Sequence, residues 1–258
     1  MHVGERLRMP LVEDRAAWLE QLCAGGGGEV AAPGDAGRRA GEVAARGDAG
    51  RRAGEVAHLG CADSPYTEEL LRAGALLHTR LVRVATVTGI DVDEHGLELL
   101  RRALPGERLV LADITAGVPA PERGRYELVL AGEVLEHVAD ADAFLRGCGE
   151  LLAPGGRLCV TVPNACCPKI GLRALAGRES VHPDHRVYYG PRTLERTLDG
   201  AGLDVESLAS CFAPAAGRAG RTIFNPLLRA SHRAFQGPVG DGLIALARAR
   251  SNAASIAS

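Results

Sequence analysis

The sequence predicts an α/β fold in which a doubly wound, mostly parallel sheet carries helices on both faces. Three observations support this class. From residue 55 onward, short apolar runs alternate with patterns of helical periodicity, as in strands joined by crossover helices. Glycine and proline mark the ends of these segments. The 258 residues are 46% apolar, which is enough to bury a substantial core.

Composition restricts the partners and the compartment. The formal net charge of -2 argues against a broad cationic surface, so we expect neither DNA nor a membrane as a partner. The first residues are charged where a signal peptide would be apolar, and no run has the length of a membrane span. The cysteines form an odd set without a CxxC pair, which is typical of reduced thiols in a cytoplasmic protein. They are Cys23, Cys61, Cys148, Cys159, Cys166, Cys167 and Cys211.

The chain is predicted to have three parts, residues 1–23, 24–54 and 55–258. Residues 10–23 place apolar side chains at helical spacing, so an amphipathic helix that packs on the domain is expected there. In the second part, the sequence of residues 34–44 recurs letter for letter at residues 47–57. The tetrapeptide GEVA occurs three times, and its third copy runs into the start of a predicted strand. Because these Gly/Arg-rich units lack an apolar face for stacking, they predict a mobile loop and not a solenoid.

The third part is predicted to contain seven strands and four helices. The strands cover residues 56–60, 84–91, 109–113, 126–131, 157–162, 205–209 and 243–248. The helices cover residues 68–82, 94–103, 141–152 and 191–201. The last helix opens with Pro191 and closes on glycine, as helices often do. The segment at residues 212–240 is much longer than a hairpin connection requires, so it predicts an insertion that covers the active site or forms a partner-binding surface.

Candidate site residues stand at the ends of strands, because ligands of such sheets bind beyond the carboxyl ends near the point where strand order reverses. Gly60 lets the backbone approach a ligand, and its turn leads to a helix whose N-terminus favours an anion. Asp91 ends the second strand, where a carboxylate either accepts hydrogen bonds from both ribose hydroxyls or is simply solvated. Asp113 and Ile114 follow the third strand. They are expected either to bracket an adenine ring or to form the cap of a helix or turn.

The most specific pattern in the chain is the string YELVLAGEVLEHV at residues 126–138, followed by LLAPGGRLCVTVPN. On these strings, residues 56–248 resemble class I S-adenosylmethionine-dependent methyltransferases, in the branch with ubiquinone-biosynthesis O-methyltransferases and small-molecule or sugar methyltransferases. The resemblance implies a Rossmann-like, seven-stranded sheet with one final antiparallel strand. It also implies S-adenosylmethionine as the cofactor. The residues that would bind it are His58, Gly60, Cys61, Ala62, Asp91, Val92, Asp113, Ile114, Gly132 and Glu133.

The first motif departs from the family pattern, in which an acidic residue is followed by GxGxG. His58 stands at the acidic position, and Ala62 and Ser64 replace two glycines. We expect the Ala62 methyl to crowd the cofactor, and His58 stands where the family has the group that engages the cofactor's ammonium, so the pattern predicts weakened or altered cofactor binding. Asp63 is the candidate to supply the missing negative charge. The first crossover is also about ten residues longer than in related dinucleotide folds, which predicts a long or doubled helix.

The resemblance further implies a divalent metal ion, since some relatives hold one with an ExxEH cluster and a later histidine. The matching residues are Glu133, Glu136, His137 and His185. If the turn after the fourth strand continues into a helix, the first three share one face. This ligand set suits Mn, Fe, Co or Zn better than Mg. The alternative is a structural turn in which His137 bonds the backbone, and His185 or His182 is then the general base.

The predicted function is transfer of a methyl group from S-adenosylmethionine to a small-molecule or sugar acceptor, with oxygen as the favoured acceptor atom. The acceptor itself and the oligomeric state are left open by the sequence. One alternative is a non-catalytic relative with weakened cofactor binding, which the altered first motif suggests. The other is a metal-dependent RNA 2'-O-methyltransferase, which the net charge disfavours. A nicotinamide dehydrogenase is disfavoured because its GxGxxG motif is absent from the sequence.

Overall fold

The computed structural model describes residues 8–25, 54–179, 182–212 and 224–250, which form one sheet of eight strands. The strands are β1 (Leu11–Val12), β2 (Val56–Leu59), β3 (Val87–Asp91), β4 (Arg108–Leu111), β5 (Tyr126–Gly132), β6 (Leu152–Pro163), β7 (Leu203–Cys211) and β8 (Gly242–Ala249). The helices are α1 (Arg15–Cys23), α2 (Thr67–Ala73), α3 (Leu77–Leu81), α4 (Glu94–Ala103), α5 (Ala141–Leu151), α6 (Pro168–Leu175), α7 (Pro191–Gly200) and α8 (Phe224–Phe235). None of these described helices is long and apolar enough to cross a membrane.

The strands lie in the order β1-β7-β8-β6-β5-β2-β3-β4. Strand β8 runs antiparallel between β6 and β7, and the other pairings are parallel. From β2 the chain adds β3 and β4 on one side, then returns to place β5 on the other side of β2. The strand order therefore reverses between β2 and β5, at the crevice where ligands of such sheets bind. The predicted doubly wound class with one antiparallel strand is confirmed.

Helices cover both faces of the sheet, because side chains alternate along β2. Val56 joins an apolar cluster that includes Leu19 of α1 and Leu81 of α3. The next residue, Ala57, joins a second cluster that includes Leu145 of α5. Since successive residues of a strand point to opposite faces, the two clusters lie on opposite sides of the sheet.

The first crossover is doubled. Helix α2 ends where Gly74 adopts a left-handed φ of 63°, and the Gly74 N–H donates to the carbonyls of Leu70 and Leu71. The chain then begins the separate helix α3. The prediction of one helix over residues 68–82 is therefore wrong, whereas the expectation that the long connection can be met by a doubled helix is confirmed.

The N-terminal segment adds an eighth strand to the seven predicted. The helix expected over residues 10–23 begins only at Arg15, because the two residues of β1 pair with β7. The Phe212 N–H, for example, donates to the Val12 carbonyl at 3.0 Å. A two-residue strand shows no periodic pattern, and its partner lies about two hundred residues away along the chain, so the sequence could not reveal it.

The third GEVA copy enters β2 as predicted, and the Val56 N–H donates to the Thr86 carbonyl at 3.0 Å. The two earlier copies lie outside the described residues, and the division of the chain into three parts stays a prediction. Within the predicted insertion at 212–240, helix α8 packs Leu228 against Phe212.

Candidate functional site

The loop after β2 begins at the switch point with a glycine that no other residue can replace without strain. Gly60 has a φ of +67°, and a Cβ there would lie 2.5 Å from Cγ2 of Val134. Its N–H donates to the Ile90 carbonyl at 3.0 Å, which joins the start of the loop to β3. The backbone of the loop is thus fixed against both neighbouring strand ends.

Asp91 is held rigidly at the end of β3. One of its carboxylate oxygens accepts the Ala62 N–H at 2.8 Å, and the other accepts the Asp93 N–H at 2.9 Å. The residue is buried, and each carboxylate oxygen can accept a second hydrogen bond. The predicted ribose acceptor therefore has the geometry to receive two adjacent hydroxyls.

The Ala62 methyl points away from the crevice. It lies in an apolar cluster with Leu97 and Leu100 of α4, and a Cβ at Gly96 would come within 2.6 Å of it. The expectation that this methyl crowds the cofactor is therefore wrong, because the turn directs it into the core. Cys61 is also buried, and burial raises the pKa of its thiol.

The His58 side chain is bound to another histidine. Nδ1 of His58 lies 3.1 Å from Nδ1 of His78 on α3, and both side chains are buried. Burial, followed by the charge of the neighbouring ring, lowers the pKa of His58 well below its ordinary value. A ring that is bonded to His78 on the α3 side does not restore the negative charge of the acidic group that it replaces.

The predicted adenine contacts differ in their placement. Asp113 is exposed and accepts hydrogen bonds from the N–H and the hydroxyl of Thr115 at 2.9 and 2.6 Å. These bonds lower the pKa of Asp113 and match the turn-capping alternative. Ile114 is buried in the core, whereas Val92 is 67% exposed beside Asp91. Of these residues, Val92 is therefore the one that presents an exposed apolar side chain beside the carboxyl end of β3.

An arginine from the N-terminal helix enters the site. The Arg15 guanidinium forms an ion pair with Glu133 at the end of β5, and the Thr161 hydroxyl donates to the same carboxylate at 3.2 Å. Burial disfavours the charge of Arg15, but Glu133 and other nearby acids raise its pKa above the ordinary value. Asp63 lies in the same charged group, and burial together with Glu133 raises its pKa.

Three of the four predicted metal ligands come together. One ligand atom from each of Glu136, His137 and His185 lies within 4.8 Å of the others. The Glu136 side chain is 1% exposed, and neither of its carboxylate oxygens has a hydrogen-bond partner among the described residues. Burial, with a contribution from Glu133, raises the pKa of Glu136 to about 8. Nε2 of His185 lies 4.0 Å from Oε1 of Glu136, and a cation bound between them would favour the charged form of this buried carboxyl group.

The ExxEH segment is a turn and not a helix, so the expected shared helical face is wrong. The turn is held because the Glu136 carbonyl accepts the Arg186 N–H at 2.8 Å. It directs Glu133 toward Arg15 and away from the other three residues. The fourth predicted ligand therefore has a different partner.

His137 and both predicted base candidates form one histidine cluster. The ring centroids of His137 and His185 are 4.7 Å apart, and those of His182 and His185 are 5.2 Å apart. Nδ1 of His137 donates to the Asp184 carbonyl at 3.2 Å, as the structural alternative predicted. The same bond leaves Nε2 of the neutral ring free to bind an ion.

Two residues of the site were missed from the sequence. Arg15 lies far from the strand ends along the chain, and His78 lies within a stretch of helical pattern that marks no strand end. The unusual length of the first crossover was the signal that could have directed attention to His78.

The fold is that of a doubly wound α/β domain, with Gly60 and Asp91 at the strand ends beside its switch point. A family model described as a methyltransferase domain matches residues 37–208, so the chain belongs to the methyltransferase domain family. The ubiquinone biosynthesis O-methyltransferase of Chelativorans sp. (strain BNC1) is 34% identical over 154 residues, which are 56% of each chain. That of Mesorhizobium japonicum is 31% identical over 156 residues, 57% of this chain and 58% of the relative. This chain thus spans less than two thirds of these relatives.

Solved structures support the fold. The complex of the Trm112 methyltransferase activator of Haloferax volcanii with a methyltransferase contains a chain with a TM-score of 0.50 at 14% identity, covering 78% of this chain and 84% of that one. A structure from Bacillus halodurans C-125, also named as a methyltransferase, has a TM-score of 0.50 at 14% identity. The match covers 77% of this chain and 93% of that one. At these identities the likeness extends to the fold alone.

Proposed function

We propose that this chain transfers a methyl group from S-adenosylmethionine to an oxygen atom of a small-molecule or sugar acceptor. The observation that carries the proposal is Asp91, whose two fixed carboxylate oxygens stand at the switch point, ready for a ribose. The relatives named as ubiquinone biosynthesis O-methyltransferases support oxygen as the acceptor atom.

The charges around β5 suit the amino-acid end of this cofactor. With the ribose on Asp91 and the adenine against Val92, the methionine part extends toward Gly132, where an added Cβ would meet, among the described residues, only the Thr161 hydroxyl at 3.6 Å. A zwitterion needs one cation and one anion side by side. In this proposal Arg15 receives its carboxylate and Glu133 its ammonium, and their mutual ion pair opens to admit both.

We further propose that Glu136, His137 and His185 hold a divalent ion beside the acceptor. One carboxylate and two imidazoles favour Mn, Fe, Co or Zn over Mg. When bound, such an ion lowers the pKa of an acceptor hydroxyl, which supplies the nucleophile at neutral pH. His182 lies beside His185 with its side chain 41% exposed, so it is placed to pass the released proton to solvent. The chain otherwise has to align the acceptor with the sulfonium methyl and exclude water.

Calorimetric titration with S-adenosylmethionine and S-adenosylhomocysteine tests the cofactor assignment. We expect submillimolar dissociation constants for both. No binding at millimolar ligand would leave the chain as a non-catalytic relative of the family. Labelled S-adenosylmethionine should then transfer its methyl group to members of a panel of hydroxylated aromatic compounds and sugars. Transfer to an oligoribonucleotide alone would replace the small-molecule acceptor with RNA.

A second experiment tests the ion. Equilibrium dialysis with Co²⁺, followed by visible absorption, should detect one bound ion with histidine ligands in the wild-type chain. The Glu136→Gln variant should bind Co²⁺ at least about tenfold more weakly, because the buried charge is lost. The Glu150→Gln variant is the matched control, since Glu150 lies on α5 with its side chain 51% exposed. If Glu136→Gln and Glu150→Gln bind Co²⁺ equally well, the turn is structural.

A further inference from the structure

A pair of buried histidines underlies the cofactor loop and has no part in the chemistry described above. His58 and His78 are 3% and 0% exposed, and their rings stack with centroids 5.3 Å apart and planes inclined by 20°. Their Nδ1 atoms lie 3.1 Å apart. One nitrogen of each ring is therefore committed to the other ring.

The hydrogen bond requires the accepting ring to be neutral, and burial, which lowers the pKa of both rings, favours the neutral form of the donating ring as well. Since two Nδ1 atoms face each other, exactly one can carry the shared proton, and the other must accept it. The two rings must therefore adopt opposite tautomers. Nε2 of His78 is buried and has no partner among the described residues, which adds to the cost of charging that ring. The pair is thus a directional and neutral contact between β2 and α3.

His78 also touches the surface on which the cofactor loop rests. A Cβ at Gly89 of β3 would lie 2.7 Å from Sγ of Cys61 and 3.0 Å from Cε1 of His78. The Cys61 side chain and the His78 ring therefore both pack over the same glycine. Cys61 belongs to the loop, and the following residue, Ala62, donates its N–H to Asp91. If His78 were displaced, His58 would lose its hydrogen-bond partner, and the space beside the Cys61 side chain would become empty.

We propose that His78 is a positioning residue that sets the backbone of residues 60–63 for the cofactor by acting through His58 and beside Cys61. The inference rests on the proposed cofactor site. It gives a role to the second helix of the doubled crossover, because α3 is the element that brings His78 under the loop. It also gives a role to a histidine at the strand position where the family pattern has an acid.

The test compares two substitutions of His78 by calorimetric titration with S-adenosylhomocysteine. His78→Phe keeps a ring over Gly89 but leaves Nδ1 of His58 buried without a partner, so we expect about tenfold weaker binding. His78→Asn keeps a polar atom near the position of Nδ1, so we expect affinity within about threefold of the wild type. His95→Phe and His95→Asn are matched controls, since His95 is exposed on α4. Circular dichroism should show every variant to be folded.

The outcomes separate this inference from the proposed function. If the wild type binds neither cofactor nor product, both proposals fail. If the wild type binds and folded His78→Phe binds equally well, or His78→Asn binds as weakly as His78→Phe, only the positioning role is overturned. If His78→Phe does not fold, the ¹⁵N resonances of the two imidazoles in the wild-type protein test the positioning role instead. They should shift when S-adenosylhomocysteine binds, and unchanged resonances at saturation would overturn the inference.

Discussion

The two halves of the sheet on either side of the switch point build their parts of the site by different means. On the β5 and β6 side, the motif that identifies the family supplies acidic side chains: Glu133 forms an ion pair with Arg15, and Glu136 is buried with a raised pKa. On the β2 and β3 side, two glycines of the family pattern are missing, and the loop is fixed by the neutral histidine pair and by the bond from the Ala62 N–H to the Asp91 carboxylate. The ion pair lies in the family-like half, whereas backbone geometry is preserved in the divergent half.

The difference teaches that a lost motif need not mean a lost site. Ala62 is tolerated because its methyl packs against Gly96 of α4, and its N–H still reaches Asp91. His58 is tolerated because α3 supplies a partner for it. The departures at His58 and Ala62 each have a compensating contact elsewhere in the same half.

The largest expected effect follows from removing the carboxylate of the divergent half. We predict that Asp91→Asn weakens S-adenosylhomocysteine binding at least about a hundredfold, because the ribose hydroxyls lose their charged acceptor and the one oxygen of the amide cannot replace both oxygens that accept the Ala62 and Asp93 N–H groups. Asp93→Asn is the matched control, since its side chain caps α4 by accepting the His95 N–H, and should stay within about threefold. Equal dissociation constants for the two variants in calorimetry would remove Asp91 from the site.

Sequence reasoning located Asp91 and Gly60 because strand ends follow from local periodicity, and the topology then brings those ends together. The family resemblance, through the ExxEH pattern and a later histidine, selected Glu136, His137 and His185, whose ligand atoms the structure brings within 4.8 Å of one another. Sequence reasoning could not assign Arg15 to Glu133, because that contact joins residues 118 positions apart. It also misjudged Ala62, since the direction of a methyl group depends on the backbone of a turn and not on its letters.

The second prediction concerns acid stability, because the neutral histidine pair should make the divergent half acid-sensitive. Burial lowers the pKa of His78 to about 4, below its ordinary value of 6.5. A histidine with a lowered pKa stabilises the fold fully above pH 6.5, and this contribution is lost as the pH falls toward 4. Between about pH 8 and pH 5 we expect a loss of roughly 2 kcal/mol in the free energy of unfolding.

Urea unfolding of the wild type and of His78→Asn across this pH range measures that loss. The difference between the two proteins should shrink as the pH falls, because the asparagine does not titrate. His95→Asn should follow the wild type throughout, since His95 is exposed. A difference between wild type and His78→Asn that is independent of pH would mean that the folded and unfolded states protonate His78 alike.

The third prediction tests the ion pair between Arg15 and Glu133 in the β5 and β6 half of the sheet. Arg15→Met leaves Glu133 without its ion-pair partner, and we expect the free energy of unfolding to fall by about 1–2 kcal/mol. The cost is below that of a fully buried pair because the Glu133 side chain is 36% exposed. The double variant Arg15→Met/Glu133→Gln should recover part of the loss.

An exposed ion pair gives the comparison for Arg15. Arg72 and Glu68 pair on α2 with side chains 70% and 62% exposed, so Arg72→Met should change the free energy of unfolding by less than about 0.5 kcal/mol. If Arg15→Met costs no more than Arg72→Met, the pair in the site contributes as little to stability as a surface pair. Its contribution would then be confined to ligand binding.

The smallest expected effect concerns Ala62, whose substitution by glycine restores the family pattern. Because the methyl faces α4 and not the crevice, Ala62→Gly should leave the dissociation constant for S-adenosylhomocysteine within about twofold and lower the free energy of unfolding by about 1 kcal/mol. The exchange Ala62→Gly/Gly96→Ala returns a methyl group to the same contact and should recover only part of that stability, because the new Cβ would lie 2.8 Å from Oδ2 of Asp93. A tenfold gain in affinity for Ala62→Gly would show instead that the methyl hinders the cofactor, and that the divergent half has lost binding along with its glycines.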